Sequence, residues 1–374
     1  MTMAEGIAEA EQVPVSESGI PIRNLWHMLL YAWDQIAIRD WWRAEAEQAP
    51  SLDALLATVL ARLVQQRLRM GLGRNYTEET RRLRSIRGRI DFGRSIKGLT
   101  FQRGEAFCQF DEFSANVPKN QIVRSSLDRI ARLGEFGPNR PLAENLRQRL
   151  RRLVRDLEGI DLVPLSLEAI RRQQLGRNDN DYRVMLAICD LLLRRHMPTE
   201  DFGGNLLPEI DRDALTLHRV FERFVARFYE IHLADWHVRP QMSLDWNAEK
   251  VSPYLPAMRP DIVFERWGSG EIVILDTKFT AASLTRGRFG NLTFNTEHIY
   301  QIYAYLRSQE AESEAHRSST GILLYPTVGQ HLSEMVELQG HPIRIETVDL
   351  AQPWEAIERR LLEVIGSVTA PAAG

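Results

Sequence analysis

The chain has 374 residues, 44% hydrophobic and 26% charged, with a formal net charge of -3, the size and balance of a soluble globular protein of about two domains. No apolar run approaches the roughly 20 residues of a membrane span, and the acidic start MTMAEGIAEAEQ is unlike a secretory leader, so a cytoplasmic protein without a membrane partner is expected. Cys108 and Cys189 stand apart, without the spacing of a disulfide framework or a structural zinc site.

Residues 1–19 lack apolar periodicity and read as a mobile tail. The segment IPIRNLWHMLLYAWDQI predicts an extended entry followed by a helix, and SLDALLATVLARLVQQRLRMGL a second helix with Ser51 as its N-cap. Two β-like runs follow, YTEETRRLRSIRGRIDF and AFCQFDEFS, and then helices near 119–133, 142–158 and 180–196. The stretch 197–208, with Gly203 and Gly204 between prolines, is the best linker. Beyond it the order is helix (LTLHRVFERFVARFYEIHLADW), strand, hairpin, loop, helix (EHIYQIYAYLRS), two strands (GILLYP and IRIETVDL) and a final helix (WEAIERRLLEVI). That order predicts α/β architecture around a mixed sheet. No P-loop of the GxxxxGK[ST] kind occurs, so no nucleotide is expected to bind this chain itself.

Charge is unevenly spread. Residues 62–177 carry 25 basic and 13 acidic side chains, a local surplus of 12 positive charges. Such a block suits phosphates, since neutralising them releases counterions, and it equally suits an acidic protein face. In the stretch LRQRLRRLVRDLEG, Leu146, Leu150, Leu153 and Leu157 repeat at helical spacing and leave the arginines on a solvated surface. The 47 basic residues are 43 Arg and four Lys: Lys97, Lys119, Lys250 and Lys278. An arginine-rich genome accounts for the ratio, and it directs attention to where lysine is retained.

One of the four lies in RPDIVFERWGSGEIVILDTKF, residues 259–279, where two β-rich runs flank a two-residue turn at Gly268 and Ser269. An antiparallel register about that turn sets Asp261 opposite Asp276, and opposed like charges destabilise a strand pair unless something offsets them. A divalent cation would. The period of two puts Lys278 on the face of Asp276, while Thr277 points away and offers its backbone carbonyl to the same ion. Two carboxylates on a hard cation beside an ammonium suit phosphodiester hydrolysis. Arginine would serve poorly, its pKa being too high for proton exchange. A surface hairpin with acids at its ends is the competing reading; the apolar run 272–275 leading into Asp276 favours a buried strand ending in a site.

Supporting candidates lie nearby. Gln301 and Tyr305, four apart, share one helical face. Glu222 stands among Val220, Phe221, Phe224 and Val225, either as an exposed flanking acid or as a further acidic group at the metal. The intervening segment TAASLTRGRFGNLTFNT carries Arg286 and Arg288 and is read as a DNA-contacting loop, with an ordinary solvated loop as the alternative.

With these residues in hand, the second half resembles the PD-(D/E)xK nuclease superfamily: Pro260 and Asp261, then Asp276, Thr277 and Lys278, with Gln301 and Tyr305 resembling the Gln-x-x-x-Tyr helix of its RecB-like branch. The segments IPIRNLWHMLLYAWD, RGRIDFGRSI, FDEFSANVPKNQIVRSSLDRI, VFERFV and ILDTKF resemble, in that order, the McrC family. The resemblance implies a mixed α+β first domain that binds a partner ring, over 20–200, and a restriction-endonuclease-like domain with a central mixed sheet flanked by helices, over 201–374. It implies a DNA endonuclease subunit of a McrBC-type anti-phage restriction system, acting on modified double-stranded DNA with a McrB-like AAA+ GTPase ring whose GTPase it stimulates. Asp261 and Asp276 become ligands of Mg²⁺, with Mn²⁺ as the alternative metal, Lys278 becomes the catalytic lysine, and Glu222, Gln301 and Tyr305 support them. The basic β-rich block, with Arg84, Arg87, Arg89 and Arg94, is the surface expected to meet the ring. A free-standing RecB-like repair nuclease and a non-catalytic activator of a ring NTPase are the competing functions.

Overall fold

The computed structural model describes residues 15–16, 18–36, 43–176, 179–196, 209–248, 252, 254–279, 284–286 and 292–366. In chain order the elements are α1 (Ile22–Ala32), α2 (Arg43–Gln48), α3 (Leu52–Met70), β1 (Asn75–Leu83), β2 (Arg89–Ile90), α4 (Phe92–Lys97), β3 (Ala106–Ser114), α5 (Pro118–Leu133), α6 (Arg140–Asp156), α7 (Leu167–Arg171), α8 (Asn180–Arg195) and α9 (Glu209–His232). They continue with β4 (Trp236–Pro240), β5 (Ile262–Arg266), β6 (Ile272–Thr277), β7 (Leu284–Arg286), β8 (Leu292–Phe294), α10 (Thr296–Gln309), α11 (Glu314–Arg317), β9 (Thr320–Thr327), β10 (Ser333–Leu338), β11 (His341–Asp349) and α12 (Trp354–Gly366). No described helix is long and apolar enough to cross a membrane.

Two compact units result, Met1–Leu52 with Thr199–Gly374, and Asp53–Pro198. This differs from a single cut near residue 200, because α1 belongs with the C-terminal half. Its Ile22, Leu25, Trp26, Met28, Leu29 and Leu30 are all buried, more apolar surface than a solvated helix leaves covered by itself. The buried Asn24 amide donates to the carbonyls of Leu350 at 2.7 Å and Gln352 at 2.9 Å. Tyr31 meets Phe224 of α9 edge-on, ring centroids 5.5 Å apart. Residues 1–14 and 17 of the expected tail, and the expected linker 197–208, lie outside the described residues. The end of that tail is built into the fold: Val15 bridges Pro21, and Ser16 closes a turn by donating from its hydroxyl to the Ile20 carbonyl.

The unit Asp53–Pro198 is α+β. An antiparallel sheet in the order β1-β3-β2 is accompanied by α3 to α8. The first β-like run is broken between β1 and β2, where Gly88 lies so close to β3 that a Cβ would stand 2.3 Å from the Gln109 carbonyl oxygen. Asp91 then caps α4 by accepting from the Arg94 N–H at 2.9 Å. In α6, Leu150 and Leu153 are buried while Arg151, Arg152 and Arg155 are exposed, so that part of the positive charge is a solvated helix face.

The other unit is α/β, with one mixed six-stranded sheet in the order β10-β11-β9-β6-β5-β4. The pairs β11·β9 and β9·β6 are parallel and the others antiparallel. All six residues of β6 are buried, as a central strand covered on both faces requires. Helix α10 covers one face through Ile302, Tyr305 and Leu306, against Ile274, Leu323, Tyr325 and Ile343. On α9, Tyr229 stacks edge-on to Phe264 of β5 at 5.2 Å and donates to the Leu361 carbonyl of α12 at 2.8 Å. The strand β10 is an edge: Ser333, Glu334 and Met335 are exposed, and Val336 and Leu338 alternate onto the core.

Helix α10 reaches β9 only because Gly321 has no side chain; a Cβ there would stand 2.8 Å from Ile302 Cγ1. Gly321→Val should therefore overpack the α10 face and cost about 1–3 kcal/mol of stability, measured by urea denaturation, and an unchanged midpoint would show that the close approach is not needed.

Candidate active site

The hairpin of β5 and β6 pairs Ile262 with Leu275, Val263 with Ile274, Phe264 with Val273 and Glu265 with Ile272. The connecting loop is wider than the two-residue turn that Gly268 and Ser269 suggest: Arg266 N donates to the Glu271 carbonyl at 2.9 Å, leaving Trp267–Gly270 as the loop. It widens symmetrically, so its centre and the register are unchanged. One step beyond the Ile262–Leu275 pair, Asp261 stands across from Asp276 at the sheet's edge of the cleft.

Asp276 is 3% exposed and forms an ion pair with Lys278. Lys278 Nζ also donates to Gln301 Oε1 at 2.7 Å, Gln301 Nε2 donates to Tyr305 OH at 2.8 Å, and Tyr305 OH donates to the Arg259 carbonyl at 3.4 Å. The two residues one turn apart on α10 thus form a relay that ends on the lysine. Asp261 Oδ2 accepts from the Thr277 N–H at 2.7 Å and from the Thr277 hydroxyl at 2.6 Å. Strand alternation alone turns Thr277 away from Asp276, but at the strand end the Asp261 carboxylate reaches round to meet its hydroxyl. The Thr277 carbonyl oxygen lies 3.5 Å from His218 Nε2 of α9.

Glu222, one helical turn after His218, joins the cleft instead of standing as an exposed flanking acid. Its Oε1 accepts from Gln241 Nε2 at 2.6 Å, and the same nitrogen lies 3.2 Å from Asp261 Oδ1. Burial, then the Asp261 charge, pushes the Glu222 carboxyl up to about 7 against the Gln241 hydrogen bond. Burial and Asp261 push Asp276 up to about 6, opposed by Lys278. Behind the lysine, His298 Nδ1 lies 2.9 Å from Tyr325 OH; burial and the nearby ammonium hold this imidazole below its usual range.

Sequence reasoning missed Gln241, His218, His298 and Tyr325. His218 and His298 had a signal, since they fall at i, i+4 with Glu222 and i, i+3 with Gln301 on faces already singled out. Gln241 and Tyr325 had none. Arg286 ends β7, which pairs antiparallel with β8, and Arg288 lies outside the described residues. The four arginines expected at a partner belong to the unit Asp53–Pro198. There Arg84 lies 3.6 Å from Glu105, Arg87 packs 4.3 Å above the Phe110 ring, Arg89 is on β2 and Arg94 on α4.

The carboxylates repel one another in a partly buried cleft, and a cation would remove that cost. Among the described residues no three His, Cys, Asp or Glu side chains already converge as a closed metal cage. Mg²⁺ asks for less, one or two carboxylates with the rest of its octahedral shell from water and substrate. Asp261 and Asp276, with the Thr277 carbonyl beside them, fit that requirement.

Residues 8–326 match a protein family described as McrBC 5-methylcytosine restriction system component. The type IV methyl-directed restriction enzyme EcoKMcrBC of Escherichia coli (strain K12) is 27% identical over 349 residues, 92% of this chain and 97% of that relative. Among solved structures, a chain of the refined half-complex from the tetradecameric assembly of Thermococcus gammatolerans McrB AAA+ hexamers with bound McrC has a similar fold. Its TM-score is 0.54 at 16% identity, covering 93% of this chain and 76% of that chain.

A carboxyl whose pKa rises on folding stabilises the fold at low pH and loses that contribution as pH passes its folded value. For the metal-free chain that loss spans pH values up to about 6 for Asp276 and about 7 for Glu222. The melting temperature of Asp276→Asn relative to the parent, in a chelator, should therefore shift in the variant's favour by a few degrees between about pH 4.5 and about pH 7.5. A difference that stays constant would mean that Asp276 titrates normally.

Proposed function

The chain belongs to the McrBC 5-methylcytosine restriction system component family, and on that premise we propose that it is the Mg²⁺-dependent nuclease subunit of such a system. It would cleave modified double-stranded DNA together with an AAA+ GTPase ring, and it would stimulate that GTPase. The observation that carries the reading is the buried strand end where Asp276 pairs with Lys278 opposite Asp261, with the lysine held by Gln301 and Tyr305. The set resembles that of the PD-(D/E)xK superfamily and lies on a mixed sheet, which supports the reading.

Asp261 and Asp276 would hold the metal, with Mn²⁺ as a substitute, and Mg²⁺ when bound supplies Lewis-acid polarisation of a phosphoryl oxygen. Lys278 has three N–H donors. Two point to Asp276 and Gln301, which leaves one for the attacking water or a phosphate oxygen as charge develops. Gln301 and Tyr305 fix the direction of that remaining donor. Asp276 holds the Lys278 ammonium in place by an ion pair, and Thr277 holds the Asp261 carboxylate by its N–H and hydroxyl. Arg286 and Arg288 would meet DNA phosphates.

Residues 84–103 of the unit Asp53–Pro198 are proposed to dock on the ring. Ile86, Phe92, Ile96 and Leu99 are 70%, 61%, 62% and 57% exposed, interleaved with Arg84, Arg87, Arg89 and Arg94. Apolar anchors with a basic rim fit a protein surface better than a phosphate backbone, which offers nothing apolar. A pair of charges at Phe92→Asp and Ile96→Asp should weaken assembly with the ring at least about tenfold, measured by co-sedimentation, while an unaffected complex would place the contact elsewhere.

With ring, GTP, Mg²⁺ and modified DNA supplied, Asp276→Ala or Lys278→Ala should lower cleavage by about 100-fold or more and leave GTPase stimulation intact. Unchanged cleavage would overturn the site. Cleavage by the chain without ring or nucleotide would point to a free-standing repair nuclease, and stimulation without any cleavage by the parent would point to a non-catalytic activator.

A further inference from the structure

We infer that Gln241 is a positioning residue that sets the spacing of the Glu222 and Asp261 carboxylates, and through it the affinity of the cleft for a divalent cation. The inference rests on the nuclease reading and extends it to a residue outside the motif.

Gln241 is tied to both acids at once. Its backbone N–H donates to the Asp261 carbonyl at 2.9 Å, and its Nε2 donates to Glu222 Oε1 at 2.6 Å and lies 3.2 Å from Asp261 Oδ1. A single amide nitrogen therefore spans a carboxylate from α9 and one from the entry to β5, two elements with no other bond between these side chains. The amide does this without charge. A lysine in its place would compete with the cation, and an acid would add to the repulsion that already raises Glu222 and Asp276.

The backbone agrees with a use for the side chain. Gln241 follows Pro240, the last residue of the edge strand β4, and has φ 51, in the left-handed region that glycine enters freely and glutamine does not. Were only a turn needed, glycine would form it with less strain. Non-glycine residues held in this region cluster where their side chains serve a site. The left-handed turn takes the chain off the sheet edge and directs the amide back over the cleft, where Gln241 is otherwise exposed.

Gln241→Gly separates the two roles, since it relieves the backbone and deletes the amide. In the full-length chain, Mn²⁺ titration followed by electron paramagnetic resonance should show affinity about 10-fold or more below the parent. The melting temperature in a chelator should be equal to or above the parent's. Gln241→Glu, which adds a charge but keeps the reach, should leave the metal-free chain less stable at neutral pH and narrow that deficit when Mn²⁺ is added. Unchanged Mn²⁺ affinity in Gln241→Gly overturns the inference, and so does a loss of affinity matched by a fall in melting temperature, which is what a purely structural residue would give. If the parent chain itself takes up no Mn²⁺ and Asp276→Ala changes nothing, it is the nuclease reading that fails.

Discussion

Carboxylates brought together at the buried end of a strand pair dominate the physics of this unit. Asp261 and Asp276 are opposed by the hairpin register, Glu222 approaches from α9, and burial with the Asp261 charge makes Glu222 and Asp276 more costly to ionise. Around them the fold spends its polar groups on partial compensation. Lys278 lies against Asp276, the Thr277 N–H and hydroxyl are given to Asp261, and Gln241 is shared between Asp261 and Glu222. The compensation is incomplete, as the raised carboxyls show, and an incompletely neutralised acidic cleft is what a hard cation binds best. Sheet order, the central place of β6 and the close seat of α10 over Gly321 all serve to hold that arrangement.

Much of this was legible along the chain because it is local. The centre of a hairpin loop fixes the register however wide the loop becomes, so the opposition of Asp261 and Asp276 follows from counting. Helical spacing likewise joins Gln301 to Tyr305. The helices α3, α5, α6 and α8 lie within a few residues of their expected spans for the same reason, whereas the short α4 and α7 had no expected counterpart. What the sequence hides is contact between distant elements. Nothing in the string marks Gln241 as left-handed or brings it beside Glu222, and nothing ties Asn24 to carbonyls more than three hundred residues away. The expectation of a first domain over 20–200 fails on that last point, since domain membership is decided by which surface covers an apolar helix.

The scarcity of lysine also acquires a structural meaning. Arginine covers the tasks that need a permanent charge: the solvated face of α6, the stacking of Arg87 on Phe110, the ion pairs along β1. Lys119 packs 4.5 Å over the Tyr182 ring and 2.9 Å from Asp179, and Lys278 stands at the acids. Both sites call for a compact ammonium. A planar guanidinium at 278, built for bidentate clamping, would not reproduce a compact ammonium shared between Asp276 and Gln301.

The burial of α1 against α9 and the segment that joins β11 to α12 sets an order on biosynthesis. This helix leaves the ribosome more than three hundred residues before the carbonyl of Leu350 that receives Asn24. At a synthesis rate of roughly 5–20 residues per second, its apolar face waits tens of seconds uncovered while the unit encoded between has time to fold by itself. The cover over α1 is therefore completed only after the strands that build the cleft have been made. A product terminated before Leu350 would lack the carbonyls that receive Asn24 and would leave the apolar face of α1 without its cover.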